Sequence, residues 1–92
     1  MIRTFRHKGL QRLYEKGVAK GLSAAMVPKI ERILARLDVA TGPATMSLPG
    51  YRLHPLKGER KGFWSVWVTG NWRIVFRLDR GHAMDVDLVD YH

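Results

Sequence analysis

Three stretches of the chain hold side chains that can move protons or meet a phosphate: His54-Pro-Leu-Lys-Gly-Glu-Arg-Lys61, Asn71-Trp-Arg-Ile-Val-Phe76 and the terminal Asp90-Tyr91-His92. Histidine is the side chain whose ordinary pKa lies closest to neutrality, so His54 and His92 are each candidates for acid or base. Lys57, Arg60 and Lys61 share a loop with His54, and Arg73 lies in the second stretch. Such a set can take a proton from a hydroxyl, return one to a leaving oxygen and surround a reacting phosphate with positive charge. Those three tasks are what metal-free cleavage of RNA requires.

The other candidates are sorted by strand pattern. Around Arg73 apolar residues alternate: Trp64, Val66 and Val68, then after Thr69-Gly70-Asn71 the series Trp72, Ile74, Phe76 and Leu78. This predicts an antiparallel hairpin with Arg73, Val75 and Arg77 on its second face. After the turn at Asp79-Arg-Gly-His82, Met84, Val86 and Leu88 continue the apolar face, and Asp85, Asp87 and Val89 fall on the other. If Ile74 pairs with Leu88, Arg77 stands opposite Asp85 while Arg73 faces Val89, so Arg73 is the better phosphate ligand. Asp90 falls on the opposite face from Asp85 and Asp87, which argues against a metal site, and no cofactor is expected. Trp64 and Trp72 are expected in the core, leaving Trp67 free to stack on a base. His7 and His82, in a helix start and a turn, are assigned no role.

The elements that must position these groups divide at a loop, Thr41-Gly-Pro-Ala-Thr-Met-Ser-Leu-Pro-Gly50. Before it, Leu10, Leu13, Tyr14 and Val18 mark a short helix that should stop at Gly17 or Gly21. Met26, Ile30, Ile33, Leu34 and Leu37 mark a longer one ending near Ala40, with Arg32 and Arg36 on its other side. Ser23 is its expected cap, but Pro28 lacks an N–H that the ladder would need, so the regular helix should begin nearer Ala25. With Ile2 to Phe5 and Tyr51 to His54 as further short strands, the expected fold is α+β. Two N-terminal helices pack on one face of a small, mostly antiparallel sheet and leave the other face for a site. The length of 92 residues predicts a single domain over 1–92.

Sixteen Lys and Arg against eight Asp and Glu give a formal charge of +8, which makes a polyanion the leading partner class. Residues 1–22 carry six bases and one acid, 51–80 seven bases and two acids, and 81–92 three acids and no Lys or Arg. Cysteine is absent, which excludes disulfides and thiolate metal sites and makes the cytoplasm the default compartment. The basic start, Met1 to Gly9, is not followed by an apolar stretch of signal-peptide length, so neither export nor membrane insertion is expected.

The opening Met1-Ile-Arg-x-Phe with His7-Lys-Gly-Leu10, then Leu53-His-Pro-Leu-Lys-Gly58, Asn71-Trp-Arg-Ile74 and Asp90-Tyr-His92, together resemble the HigB toxins of the RelE/ParE superfamily. The likeness runs from end to end. It implies an endonuclease that cleaves messenger RNA in the ribosomal A site, without metal, leaving a cyclic phosphate. Carried over by residue, the active site falls on His54, Lys57, Arg73, Asp90, Tyr91 and His92. The chain's bases, among them Arg6, Lys8, Arg12, Arg60, Lys61 and Arg77, would grip ribosomal RNA as well as substrate. The implied partner is a HigA-like helix-turn-helix antitoxin, through which alone the pair would contact DNA. Two rivals are a gyrase-poisoning toxin of the same superfamily, which needs no terminal Asp90-Tyr91-His92, and a non-enzymatic RNA-binding module, for which the basic field suffices.

Overall fold

In the computed structural model, which describes residues 1–90, helices α1 (Lys8–Lys16) and α2 (Val27–Asp38) precede a four-stranded antiparallel sheet. Its strands are β1 (His54–Pro55), β2 (Phe63–Thr69), β3 (Trp72–Asp79) and β4 (His82–Asp90), in that spatial order. One hydrophobic core joins the helices to the sheet through Leu10, Ile30, Ile33 and Leu37 from α1 and α2 and Val66, Ile74, Phe76 and Val86 from β2, β3 and β4. Among the described residues no helix is long and apolar enough to cross a membrane.

Helix α1 begins where the His7 ring accepts the Leu10 N–H through Nδ1 at 3.2 Å, and it stops at Gly17, whose φ of 69° is the left-handed conformation glycine tolerates. Val18, expected on the helix stripe, lies past that cap and is exposed. Helix α2 starts at Val27, two residues later than expected, which puts Pro28 in the first turn, where a missing N–H costs nothing. Ser23 does not cap it through its side chain; its backbone carbonyl accepts from Met26 and Val27 instead.

The hairpin register follows the period-two reading, with Val66 opposite Ile74 and Ile74 opposite Leu88. Below that point β4 departs from it. Val75 pairs with Asp87 and Arg77 with Met84, so β4 spends two residues, Asp85 and Val86, opposite Phe76 alone. Asp85 absorbs this bulge with φ of 53°. The phase of the strand therefore changes, and Ala83, not Met84, is the core residue with Val86 and Leu88. Trp72 also leaves the expected core face and is exposed beside the β2–β3 turn. The segment from Ile2 to Phe5 runs parallel to the outer edge of β4 but touches the ladder only at Ile2 with Ala83 and Phe5 with Val86, because the bulge interrupts it. The strand expected over Tyr51 to His54 is confined to His54–Pro55; ahead of it the Tyr51 carbonyl takes the Trp67 N–H at 2.6 Å.

Asp38, the last residue of α2, ties the N-terminal half together. Its Oδ1 accepts the Tyr14 hydroxyl at 2.6 Å and the Ile2 N–H at 3.1 Å, joining α1, α2 and the edge segment. The Tyr14 hydroxyl and then the Ile2 N–H hold the Asp38 carboxyl below the usual carboxylate range, and the same bond pushes Tyr14 up. Because the folded-state pKa of Asp38 is depressed, its contribution is present above the ordinary aspartate pKa of about 3.9 and is lost as pH falls through the lower folded value. Asp38→Asn should therefore lower stability at neutral pH by about 1–2 kcal/mol, and the gap from wild type should close in acid. Urea unfolding of both proteins across pH 2 to 7 checks the size and the direction of that effect.

Candidate functional site

The face of the sheet away from the helices carries the predicted groups in rows set by register. His54 on β1 pairs with Ser65 on β2, Ser65 with Val75 on β3, and Val75 with Asp87 on β4. On one side of this row Trp67 pairs with Arg73 and Arg73 with Val89; on the other, Phe63 pairs with Arg77. The face was expected to be open, yet Ser65 and Val75 at its centre are 5% and 2% exposed. They form a floor, and the longer side chains of His54, Trp67, Arg73, Phe63 and Arg77 border it. His54 and Arg73 stand two strands apart and two residues out of row, on the order of 12 Å between their backbones.

The exposed His54 ring is fixed by its own strand, its Nδ1 lying 2.6 Å from the Pro55 carbonyl oxygen. That oxygen can only accept, so Nδ1 is the donor, and in the neutral form of the ring the lone pair belongs to Nε2. Arg73 donates to the Gly70 and Trp72 carbonyls, each at 3.2 Å, which holds its guanidinium at the β2–β3 turn. Among the described residues it makes no ion pair. Arg77 does: its Nε lies 2.7 Å from Asp85 Oδ2. The pairing is the expected one, reached through the bulge, because Met84 is the residue opposite. Arg6 approaches the same carboxylate at 3.9 Å and lies over the Phe63 ring.

The remaining candidates lie around this frame. Lys57 precedes a short 3-10 turn, Gly58–Arg60, and with Arg60 and Lys61 forms an exposed loop that links β1 to β2. Lys8 and Arg12 are exposed one turn apart on α1. Asp90 pairs with Trp72 at the end of β4, next to the Arg73–Val89 pair. Tyr91 and His92 lie outside the described residues. Asp85 is taken up by arginines and Asp87 accepts the Leu88 N–H, and no group of three His, Asp or Glu among the described residues could hold a metal. His7 serves as a helix cap and His82 accepts from Arg3 at the far turn, so both are structural.

The sequence reading passed over Lys29 and Arg52. Lys29 Nζ and the Arg52 guanidinium carbon each lie 4.2 Å from the centre of the Trp67 ring. Trp67, expected to be free, is thus occupied by two cations. Its indole N–H donates to the Gly70 carbonyl at 2.9 Å, the same oxygen that holds Arg73. The available signal was weak: neither base sits in a motif, and only the fold brings α2, the loop before β1 and β2 together.

Residues 3–92 match the family described as RelE-like toxin of type II toxin–antitoxin system HigB. Over all 92 residues, and the whole of the relative, the chain is 46% identical to "Endoribonuclease HigB" of Proteus vulgaris. Among solved structures, the YoeB/ParE toxin from Agrobacterium tumefaciens superposes with a TM-score of 0.58 at 19% identity, covering 100% of this chain and 99% of that one. YafQ from E. coli gives 0.57 at 15% identity, covering 98% and 93%. These two likenesses bear on the fold, the two-helix, antiparallel-sheet arrangement described above.

The two arginines of β3 should separate in stability measurements. Arg77→Ala removes the ion pair with Asp85, and because the Arg77 side chain is 39% exposed the loss should be about 0.5–1 kcal/mol. Arg73→Ala, which removes only bonds to exposed turn carbonyls, should stay within about 0.5 kcal/mol of wild type. Denaturant midpoints of the two variants measure the difference directly.

Proposed function

The chain belongs to the HigB-like family of type II toxins, and from that membership we propose that it is an endoribonuclease that cuts messenger RNA on the ribosome. Full-length identity of 46% to a relative named for endoribonuclease activity carries the reading. The toxin family implies an antitoxin partner, and we take that partner to be a HigA-like helix-turn-helix protein, with DNA contacted only through the complex. The compartment is then the cytoplasm, where ribosomes and messages meet.

The chemistry proposed for the sheet face is an in-line transesterification. The lone pair on His54 Nε2 takes the proton of the RNA 2′-hydroxyl, the 2′-oxygen forms a bond to the adjacent phosphorus, and the bond from phosphorus to the 5′-oxygen breaks. A proton from a general acid at the chain's end, His92, completes the leaving 5′-hydroxyl and leaves a 2′,3′-cyclic phosphate. Arg73 and Lys57 stabilise the charge that accumulates on the phosphate oxygens. Asp90 and Tyr91 complete the proposed catalytic set. The exposed cations Lys8, Arg12, Arg60 and Lys61, with Arg6 and the partly neutralised Arg77, hold RNA of substrate and ribosome. The candidate groups are spread over three strands and the end of the chain, and we take the site to be completed by its target.

On purified ribosomes programmed with a defined message, wild type should cleave, and free message at the same protein concentration should remain intact. Robust cleavage of free RNA contradicts the ribosome requirement. His54→Ala and Arg73→Ala should each lose roughly 10²–10⁴-fold in rate while remaining folded. Arg77→Ala should act mainly on binding.

Deletion of His92 gives an independent check in cells. A terminal residue is ordinarily dispensable, and His92 stands two positions beyond Asp90, the last paired residue of β4. Toxicity should disappear, with thermal stability and antitoxin binding nearly unchanged; a fully toxic deletion removes His92 from the scheme.

A further inference from the structure

We propose that Lys29 and Arg52, gathered over Trp67 beside Arg73, bind an RNA backbone phosphate next to the one at which the strand is cut. The inference rests on the reading of the chain as a ribonuclease, and it assigns to these residues a contact with the strand outside the reacting group.

Four observations carry it. Two cations stand 4.2 Å from the centre of one indole, drawn from α2 and from the loop ahead of β1, and no ion pair joins either of them among the described residues. Like charges held together without a carboxylate repel each other, an arrangement that becomes favourable when an anion arrives. Burial, with repulsion from Arg32 and Arg52, holds the Lys29 ammonium below the ordinary lysine range.

Arg52 adopts φ of 50°, a left-handed conformation that a non-glycine residue takes at a cost in backbone strain. Packing does not demand an arginine there, since the residue is exposed and glycine would relieve the strain. What the conformation accomplishes is to put the guanidinium over Trp67. Finally, the cluster is continuous with the proposed site, because the Gly70 carbonyl accepts from both the Trp67 indole and Arg73. A strand whose reacting phosphate meets Arg73 therefore has two further cations beside it. With Lys29 and Arg52 over its ring, Trp67 serves as the platform that holds them and not as a stacking partner for a base.

The test uses the full chain as Lys29→Gln/Arg52→Gln and as Arg52→Gly, with Lys16→Gln/Lys20→Gln as a variant of equal charge. Binding is measured from 50 to 300 mM salt to two probes: a twelve-nucleotide 2′-O-methyl RNA, which cannot be cleaved, and vacant ribosomes. Each phosphate contact to single-stranded RNA contributes about 0.7 to the slope of log affinity against log salt. The Lys29/Arg52 double variant should lose about 0.7 in slope on the oligonucleotide, the value for one phosphate, against no such loss in the Lys16/Lys20 variant. A loss on the oligonucleotide supports the contact with message, and a loss confined to vacant ribosomes contradicts it. On programmed ribosomes KM should rise about tenfold with kcat within about twofold of wild type, the pattern of lost binding without lost chemistry. Arg52→Gly should bind more weakly while its Tm equals or exceeds that of wild type, which a merely structural role for Arg52 does not produce.

Wild-type slopes and KM in both Lys29 and Arg52 variants overturn the inference, whatever the wild type cleaves. If instead the wild type cuts no RNA but the variants still lose slope, the ribonuclease reading fails and the phosphate contact stands.

Discussion

The bulge at Asp85 sets what each face of the sheet can do. By spending Asp85 and Val86 opposite Phe76, β4 changes phase once along its length, so that Ala83 and Val86 both reach the core although they are three positions apart. A left-handed φ at an aspartate is unfavourable by itself, and three contacts hold it. The Asp85 N–H donates to the Thr4 hydroxyl at 2.7 Å, Val86 donates to the Thr4 carbonyl, and the carboxylate takes Arg77. Short aspartate side chains tolerate this conformation better than branched ones do. The N-terminal edge segment and the bulge thus define each other.

From that constraint follows an electrostatic division of the sheet face. The carboxylate delivered by the bulge meets Arg77 and Arg6 at one end, so part of the positive charge there is offset within the protein. At the other end the register runs Trp67, Arg73, Val89, with no carboxylate in the row. Lys29 and Arg52 add to that end from outside the sheet. A field directed at one end of a shallow face suits a linear polyanion that must be threaded across it in one direction. His54 stands at the β1 border of the same face, with the tautomer that leaves Nε2 able to accept.

Much of the frame was legible in the sequence because it depends on local period. Alternation placed β2, β3 and the upper part of β4 in their observed register, and the apolar stripes with Gly17 located both helices. What period cannot carry was missed. A bulge inserts one residue without altering residue types, so Met84 read as core, and Trp72, by a turn, read as part of a longer alternation than the fold keeps. Met46, fully buried from a 3-10 turn in the loop after α2, enters the core by tertiary placement alone. Of the proposed site, Arg73 could be assigned a strand face from spacing, whereas His54 was legible only as the end of a strand and its pairing with Ser65 comes from the fold. The Lys29–Trp67–Arg52 cluster could not, because it joins three segments that are remote in sequence and unified by no motif.

The central claim is that this sheet face turns the RNA's own 2′-hydroxyl into the nucleophile. The most direct measurement is the chemistry of the ends formed when a defined message is cut on ribosomes in the presence of the chain. Attack by the neighbouring 2′-oxygen predicts a 2′,3′-cyclic phosphate on the upstream fragment and a 5′-hydroxyl on the downstream one. A 3′-hydroxyl facing a 5′-phosphate would mean that water had attacked instead, and would contradict the roles given to His54 and Arg73.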